Sequence, residues 1–182
     1  MTTAVQPFSG TYTADTIHSS FGFAVAYAGA GKFRGTFDSV RADLTAGDDG
    51  LTLDGAARAD SISIQDPPQF RAHVLGSEFF DADNHPEVEF RSSKIDLADD
   101  GSARLEGELT LAGNTRPLVA TGTWSEPLAT AVGQRAALQL ETVIDRREFG
   151  FNWQMALPGG GDALAYDVTL EVSLALVQPE ES

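Results

Sequence analysis

The residues most able to do acid–base or metal chemistry in this chain are its three histidines, His18, His73 and His85. A metal site would need partners at i, i+2 on a strand or i, i+4 on a helix with a further donor, and none of the three has that spacing. No metal and no cofactor are expected. Asp15, His18 and Ser19 lie close together, as do Asp81, Asp83 and His85. A catalytic relay requires a nucleophile hydrogen-bonded to its base, which nearness in sequence does not supply, so the expectation is a protein that is not an enzyme. His18 opens an aromatic strand and would meet the polar end of a ligand, while His73 would do the same or orient a short helix. Arg146, within Asp145-Arg146-Arg147-Glu148-Phe149-Gly150, carries a planar fork suited to a phosphate or carboxylate head group. Asp145 and Glu148 would equally neutralise it in a corner turn, and Arg71 has the same two readings. Ala28-Gly29-Ala30-Gly31-Lys32 has the look of a phosphate loop, but no Ser or Thr follows the lysine and the segment runs into a strand rather than a helix. That excludes a nucleotide site.

The second set of candidates is apolar. Phe21, Phe23, Tyr27 and Phe37 recur at even spacing near the start, and Phe79, Phe80 and Phe90 flank a central break in the pattern. Trp124, Phe149 and Trp153 follow toward the end. Facing inward together, these rings would line a tunnel for an apolar chain, or they would pack against one another. Each buried ligand methylene gains about 0.8 kcal/mol, so ten give about 8 kcal/mol before the cost of ordering the chain.

Composition narrows the partners. The 182 residues suit one domain with a core of its own. There is no cysteine, which removes disulfides, thiol catalysis and thiolate-bound metals. A formal charge of −15 with no basic cluster opposes nucleic acid and anionic membrane surfaces. The first residues have neither a basic nor an apolar leader region, and no run is long and apolar enough to span a membrane. The expectation is a cytoplasmic protein whose partner is an apolar or amphiphilic small molecule.

The elements that would position these residues are strands. Phe21, Phe23, Val25 and Tyr27 alternate with Gly22, Ala24 and Ala26, and Leu105, Gly107, Leu109 and Leu111 alternate with Glu106, Glu108 and Thr110. Val168, Leu170, Val172, Leu174 and Leu176, preceded by Tyr166, repeat the rule near the end. Gly47-Asp48-Asp49-Gly50, Asp99-Asp100-Gly101 and Gly113-Asn114 read as turns. In the middle, Pro67-Pro68 opens a short helix and Gly76 ends it, giving an insertion over about 68–80 that would lie as a lid against a barrel mouth. Eight to ten strands with short turns, and small inward residues such as Gly35, Gly55, Ala57, Gly107 and Gly122, favour a closed antiparallel barrel over a sandwich. Closure also removes the exposed edges of a strand as long and apolar as 166–176. The domain is expected over 9–177, with 1–8 and 178–182 as flexible ends.

The order of motifs resembles the YceI-like family of lipocalin-like, polyisoprenoid-binding bacterial proteins. The resemblance rests on Tyr12 to Asp15 with His18-Ser19, on Gly35-Thr36-Phe37, and on His73-Val74-Leu75 ahead of Phe79-Phe80-Asp81. It continues in Pro86 to Ser92, Gly107 to Pro117 and Asp145 to Gly150. It implies an extended lipocalin-like β-barrel of about eight strands, often dimeric, whose long apolar pocket holds an isoprenoid or another long-chain amphiphile. At Ala26-Tyr27-Ala28 the chain departs from the family, where a Lys-His pair is common. No polar head-group contact is carried over to those positions.

Overall fold

The computed structural model describes residues 7–179; of the ends expected to be flexible, residues 1–6 and 180–182 lie outside the described residues. The strands are β1 (Gly10–Ala14), β2 (Ser20–Tyr27), β3 (Gly31–Phe37), β4 (Val40–Gly47), β5 (Gly50–Arg58) and β6 (Glu87–Leu97). They continue as β7 (Ser102–Leu111), β8 (Asn114–Trp124), β9 (Leu128–Thr130), β10 (Gly133–Asp145) and β11 (Leu164–Gln178). One helix, α1 (Pro68–Leu75), interrupts them, with short 3-10 turns at Ala59–Ser61 and Arg146–Phe149.

Hydrogen bonding runs β1–β4–β5–β6–β7–β8–β10–β11, and β11 returns to β1, so eight antiparallel strands close a barrel. The β2–β3 hairpin extends the wall, with β2 on the same edge of β11 that β1 uses further along. β1 and β2 are therefore two halves of one stave. Ala14 pairs with Leu176 and Ser20 with Ser173, so the break at 15–19 bulges outward. Ser19 secures it by exchanging bonds with Ala175, its Oγ accepting from the amide at 2.9 Å.

The turns fall where Gly, Asp and Asn suggest. Gly47 pairs with Gly50 across Asp48-Asp49, and Ala112-Gly113 joins β7 to β8 with both residues at positive φ. The small inward residues also have physical causes. A Cβ at Gly35 would lie 2.6 Å from the Phe23 ring, and one at Gly107 would lie 2.7 Å from the Phe90 ring. Each glycine thus leaves room for a ring against its bare backbone, and at Gly107 a Cβ would also strike the Arg91 carbonyl. At Gly122 a Cβ would strike the Gln139 carbonyl, so only glycine lets β8 approach β10.

The interior divides along the barrel axis. In its lower half Tyr12, Leu44, Leu105, Leu138 and Leu176 pack solidly. Phe8, expected in a flexible end, is buried there instead, edge-on to Tyr12 at 5.1 Å and 6.2 Å from Trp124. Apolar contact with two aromatic rings is reason enough for a ring to stay inside. The upper half opens into a cavity.

Candidate ligand-binding site

The cavity has a volume of about 920 Å³. Its floor is Ala42, Leu53, Leu105, Leu140 and Leu174, where the packed lower core begins. Above the floor the walls are Phe21, Phe23, Phe37 and Phe90 with Val168, Leu170 and Val172 of β11. Gly55 and Ala57 stand among them, and their missing side-chain volume is part of what leaves space.

Three separate segments frame the mouth. The β2–β3 hairpin brings Tyr27, Lys32 and Phe33, α1 brings Phe70 and His73, and the loop between Phe149 and Leu164 brings Phe151, Trp153 and Met155. Pro67-Pro68 starts α1 and Gly76 caps it, as the sequence predicts. Aromatic contacts hold the segments together. Phe70 meets Phe33 edge-on at 5.3 Å, His73 meets Trp153 at 5.0 Å, and Phe80 meets Phe37 at 5.6 Å and Phe151 at 5.3 Å. The insertion is therefore one side of the mouth rather than a cover over it, with Phe79 and Phe80 both reaching the cavity.

Of the ten aromatics singled out from sequence, Phe21, Phe23, Tyr27, Phe37, Phe79, Phe80, Phe90 and Trp153 reach the wall. Trp124 and Phe149 do not. Trp124 belongs to the lower core and donates its indole N–H to the Ala98 carbonyl at 2.9 Å, while Phe149 is 1% exposed in the upper packed cluster. The sequence reading missed Phe33, Phe70, Phe151 and Met155. The first resumes a strand pattern and the other three lie outside strands, where period two gives no facing. The irregular register between Leu164 and Val168 takes Tyr166 out of the cavity wall, and Arg146 and Arg147 lie over its ring at 4.7 and 4.1 Å.

The head-group candidates separate sharply. His18 lies on the β1–β2 break, away from the cavity, with Nδ1 2.7 Å from Asp15 Oδ2. Arg71 donates to the carbonyls of Ile62 and Ile64 at 3.2 and 3.0 Å and to that of Asp60 at 2.7 Å, tying α1 to the chain before it. Arg146 is 3% exposed. It touches the cavity wall but donates to the carbonyls of Ala165, Phe151 and Leu164, joining the corner after β10 to the start of β11. Its partners are carbonyls rather than the neighbouring Asp145 and Glu148, and burial lowers its pKa. Asp145 instead caps the turn by accepting from the Arg147 amide at 3.0 Å and pairs with the Arg147 guanidinium at 2.7 Å, which lowers its own pKa. Gly150 closes that turn at φ 84°.

His73 alone among those four candidates is both partly exposed and at the mouth, and its Nε2 lies 2.7 Å from Glu78 Oε2. The three histidines do not gather, since His85 faces Asp81 at 3.9 Å. Among the described residues no group of three or more His, Asp or Glu is placed to hold a metal ion. No helix among them is long and apolar enough to cross a membrane.

Comparison with known proteins agrees with this geometry. A family model described as the YceI-like domain matches residues 12–176. A UPF0312 protein of Staphylococcus aureus is 26% identical over 171 residues, spanning 89% of this chain and 94% of that one. Burkholderia cenocepacia BcnA superposes with a TM-score of 0.73 at 17% identity, covering 91% of this chain and 99% of its own. A domain from Saccharophagus degradans, described as polyisoprenoid binding and implicated in plant cell wall breakdown, superposes at 0.68 and 12% identity, over 94% of this chain and 100% of that one. At such identities the likeness to the two solved structures is one of fold.

Proposed function

This chain belongs to the YceI-like family, and from that premise we propose that it is a non-catalytic carrier of a polyisoprenoid or a similar long-chain amphiphile. The observation that carries the proposal is the cavity of about 920 Å³ walled by apolar side chains. A volume of that order sits at the upper end of small-molecule sites. Burying ten methylenes in it returns about 8 kcal/mol gross, enough for useful affinity after the tail is ordered. The tail would run past Phe21, Phe90 and Leu170 toward Leu105 and Leu174, with the head left between the hairpin, α1 and Trp153. The S. degradans relative, described as polyisoprenoid binding, supports this choice of cargo.

Native mass spectrometry of the purified protein is the test, followed by titration with isoprenoid alcohols. A retained or acquired lipid mass is expected, and the same spectrum reads whether the chain forms the homodimer that the family resemblance implies. Repeated recovery without lipid, together with no uptake of any isoprenoid alcohol, would overturn the proposal.

A further inference from the structure

The polar groups at the mouth indicate the chemistry of the head. The cationic side chains nearest the cavity are committed inside the protein. Arg146 spends its donors on the carbonyls of Ala165, Phe151 and Leu164, and Arg71 spends its own on those of Asp60, Ile62 and Ile64. His73 is held by the carboxylate of Glu78, which adds negative charge beside the opening. Lys32 is the one cation of the cavity lining left without an ion pair or hydrogen bond among the described residues, and it is exposed at the rim. A lone exposed ammonium holds an anion weakly once salt is present. The chain's net charge of −15 opposes an anion further.

Two uncharged groups remain available. Tyr27 and Trp153 both line the mouth, and neither the phenol hydroxyl nor the indole N–H is taken up by a protein hydrogen bond among the described residues. Trp124, by contrast, has its N–H satisfied by Ala98. Tyr27 is 44% exposed and Trp153 partly exposed, so neither ring is sealed off from an incoming head group. A hydroxyl or carbonyl oxygen at the end of an apolar chain would accept from both groups without bringing a charge into an acidic surround.

We infer that the cavity selects a long-chain amphiphile with an uncharged hydroxyl or carbonyl head, bonded by Tyr27 and Trp153, over the same tail bearing a phosphate or carboxylate. This rests on the carrier reading above, and the experiment separates the two. Intrinsic fluorescence and native mass spectrometry would measure binding of geranylgeraniol, its monophosphate and the hydrocarbon of the same skeleton to the full chain. The alcohol is expected to bind at least about tenfold more tightly than the monophosphate at low salt, with the ratio narrowing as salt screens the repulsion. Tyr27→Phe and Trp153→Phe are each expected to weaken the alcohol by about fivefold relative to the hydrocarbon, the loss of one neutral hydrogen bond. Using the hydrocarbon as the reference removes the loss of ring area in Trp153→Phe. Equal or tighter binding of the monophosphate, or an alcohol preference untouched in both variants, would overturn the inference while leaving the carrier reading in place. Failure of all three probes to bind would overturn both.

Discussion

The lower and upper halves of the barrel are built from the same staves and the same alternation, yet one is solid and the other hollow. On β11, Leu176 is fully buried against Tyr12 and its neighbours, while Leu170, three inward positions away, stands half-buried on the cavity wall. The difference lies in what the other staves place at each level. Below, Phe8, Tyr12, Trp124 and Leu138 reach the axis and fill it. Above, Gly55 and Ala57 project little or no side chain toward the axis, and the rings of Phe23 and Phe90 lie against the bare backbone of Gly35 and Gly107. Alternation thus decides which residues face inward, and side-chain size at each level decides whether the interior closes.

The comparison breaks most severely at glycine. Gly122 lies where β8 and β10 pair, over 121–124 against 138–141, and a side chain there strikes the backbone of Gln139. Gly122→Val is expected to destabilise the chain by about 4 kcal/mol or more in urea unfolding. Gly55, on the cavity wall, would place a Cβ 3.6 Å from both Ala42 and Phe21 and 3.3 Å from the Arg41 carbonyl. Gly55→Ala is therefore expected to change stability by less than about 1 kcal/mol. Comparable losses at the two glycines would mean that the upper wall is as tightly fitted as the lower seam.

Leucine truncations on one strand sharpen the same contrast. Leu176→Ala is expected to cost about 2–5 kcal/mol, the range for a filled core. Leu170→Ala should cost about 1 kcal/mol, because its side chain already faces a void and has fewer partners to lose. Its larger effect should fall on lipid uptake. Val172→Phe works in the opposite sense, adding a ring where there is room. Stability is expected to hold within about 1 kcal/mol while affinity for an isoprenoid alcohol falls by about tenfold, measured by fluorescence titration. Unchanged affinity would place the bound tail elsewhere.

How far the sequence foretells this arrangement follows from the same two rules. Period two identifies the staves, their turns and the inward face, and Pro67-Pro68 with Gly76 marks α1. It carries no height along the axis, so Trp124 reads like Phe90 although one is packed below and the other faces space. Nor does it report partners far along the chain. Arg146 finds its acceptors at 151, 164 and 165, and those carbonyls are silent in sequence. The mouth is the least legible part because Phe70, Phe151 and Met155 lie outside the strands, and only the folded chain brings them round one opening.

The smallest predicted effect belongs to the lower half, where the stave formed by β1 and β2 breaks. The Asp15 carboxylate accepts from the Ile17 amide at 2.9 Å, faces His18 at 2.7 Å, and reaches Arg135 of β10 at 3.3 Å. The His18 hydrogen bond leads these influences, and together they lower the Asp15 pKa from 3.8 to about 2. A carboxylate with a depressed folded-state pKa binds fewer protons folded than unfolded. Its contribution is therefore complete above pH 3.8 and disappears as the pH falls through about 2. Asp15→Asn should lower stability at neutral pH, and the two unfolding curves should converge toward pH 2. Cavity binding should be unaffected, because Asp15 lies outside its lining. Parallel curves down to the acid limit would show that the strand break is held by the Ser19–Ala175 exchange alone, whereas a loss of lipid uptake would mean that the break is coupled to the cavity.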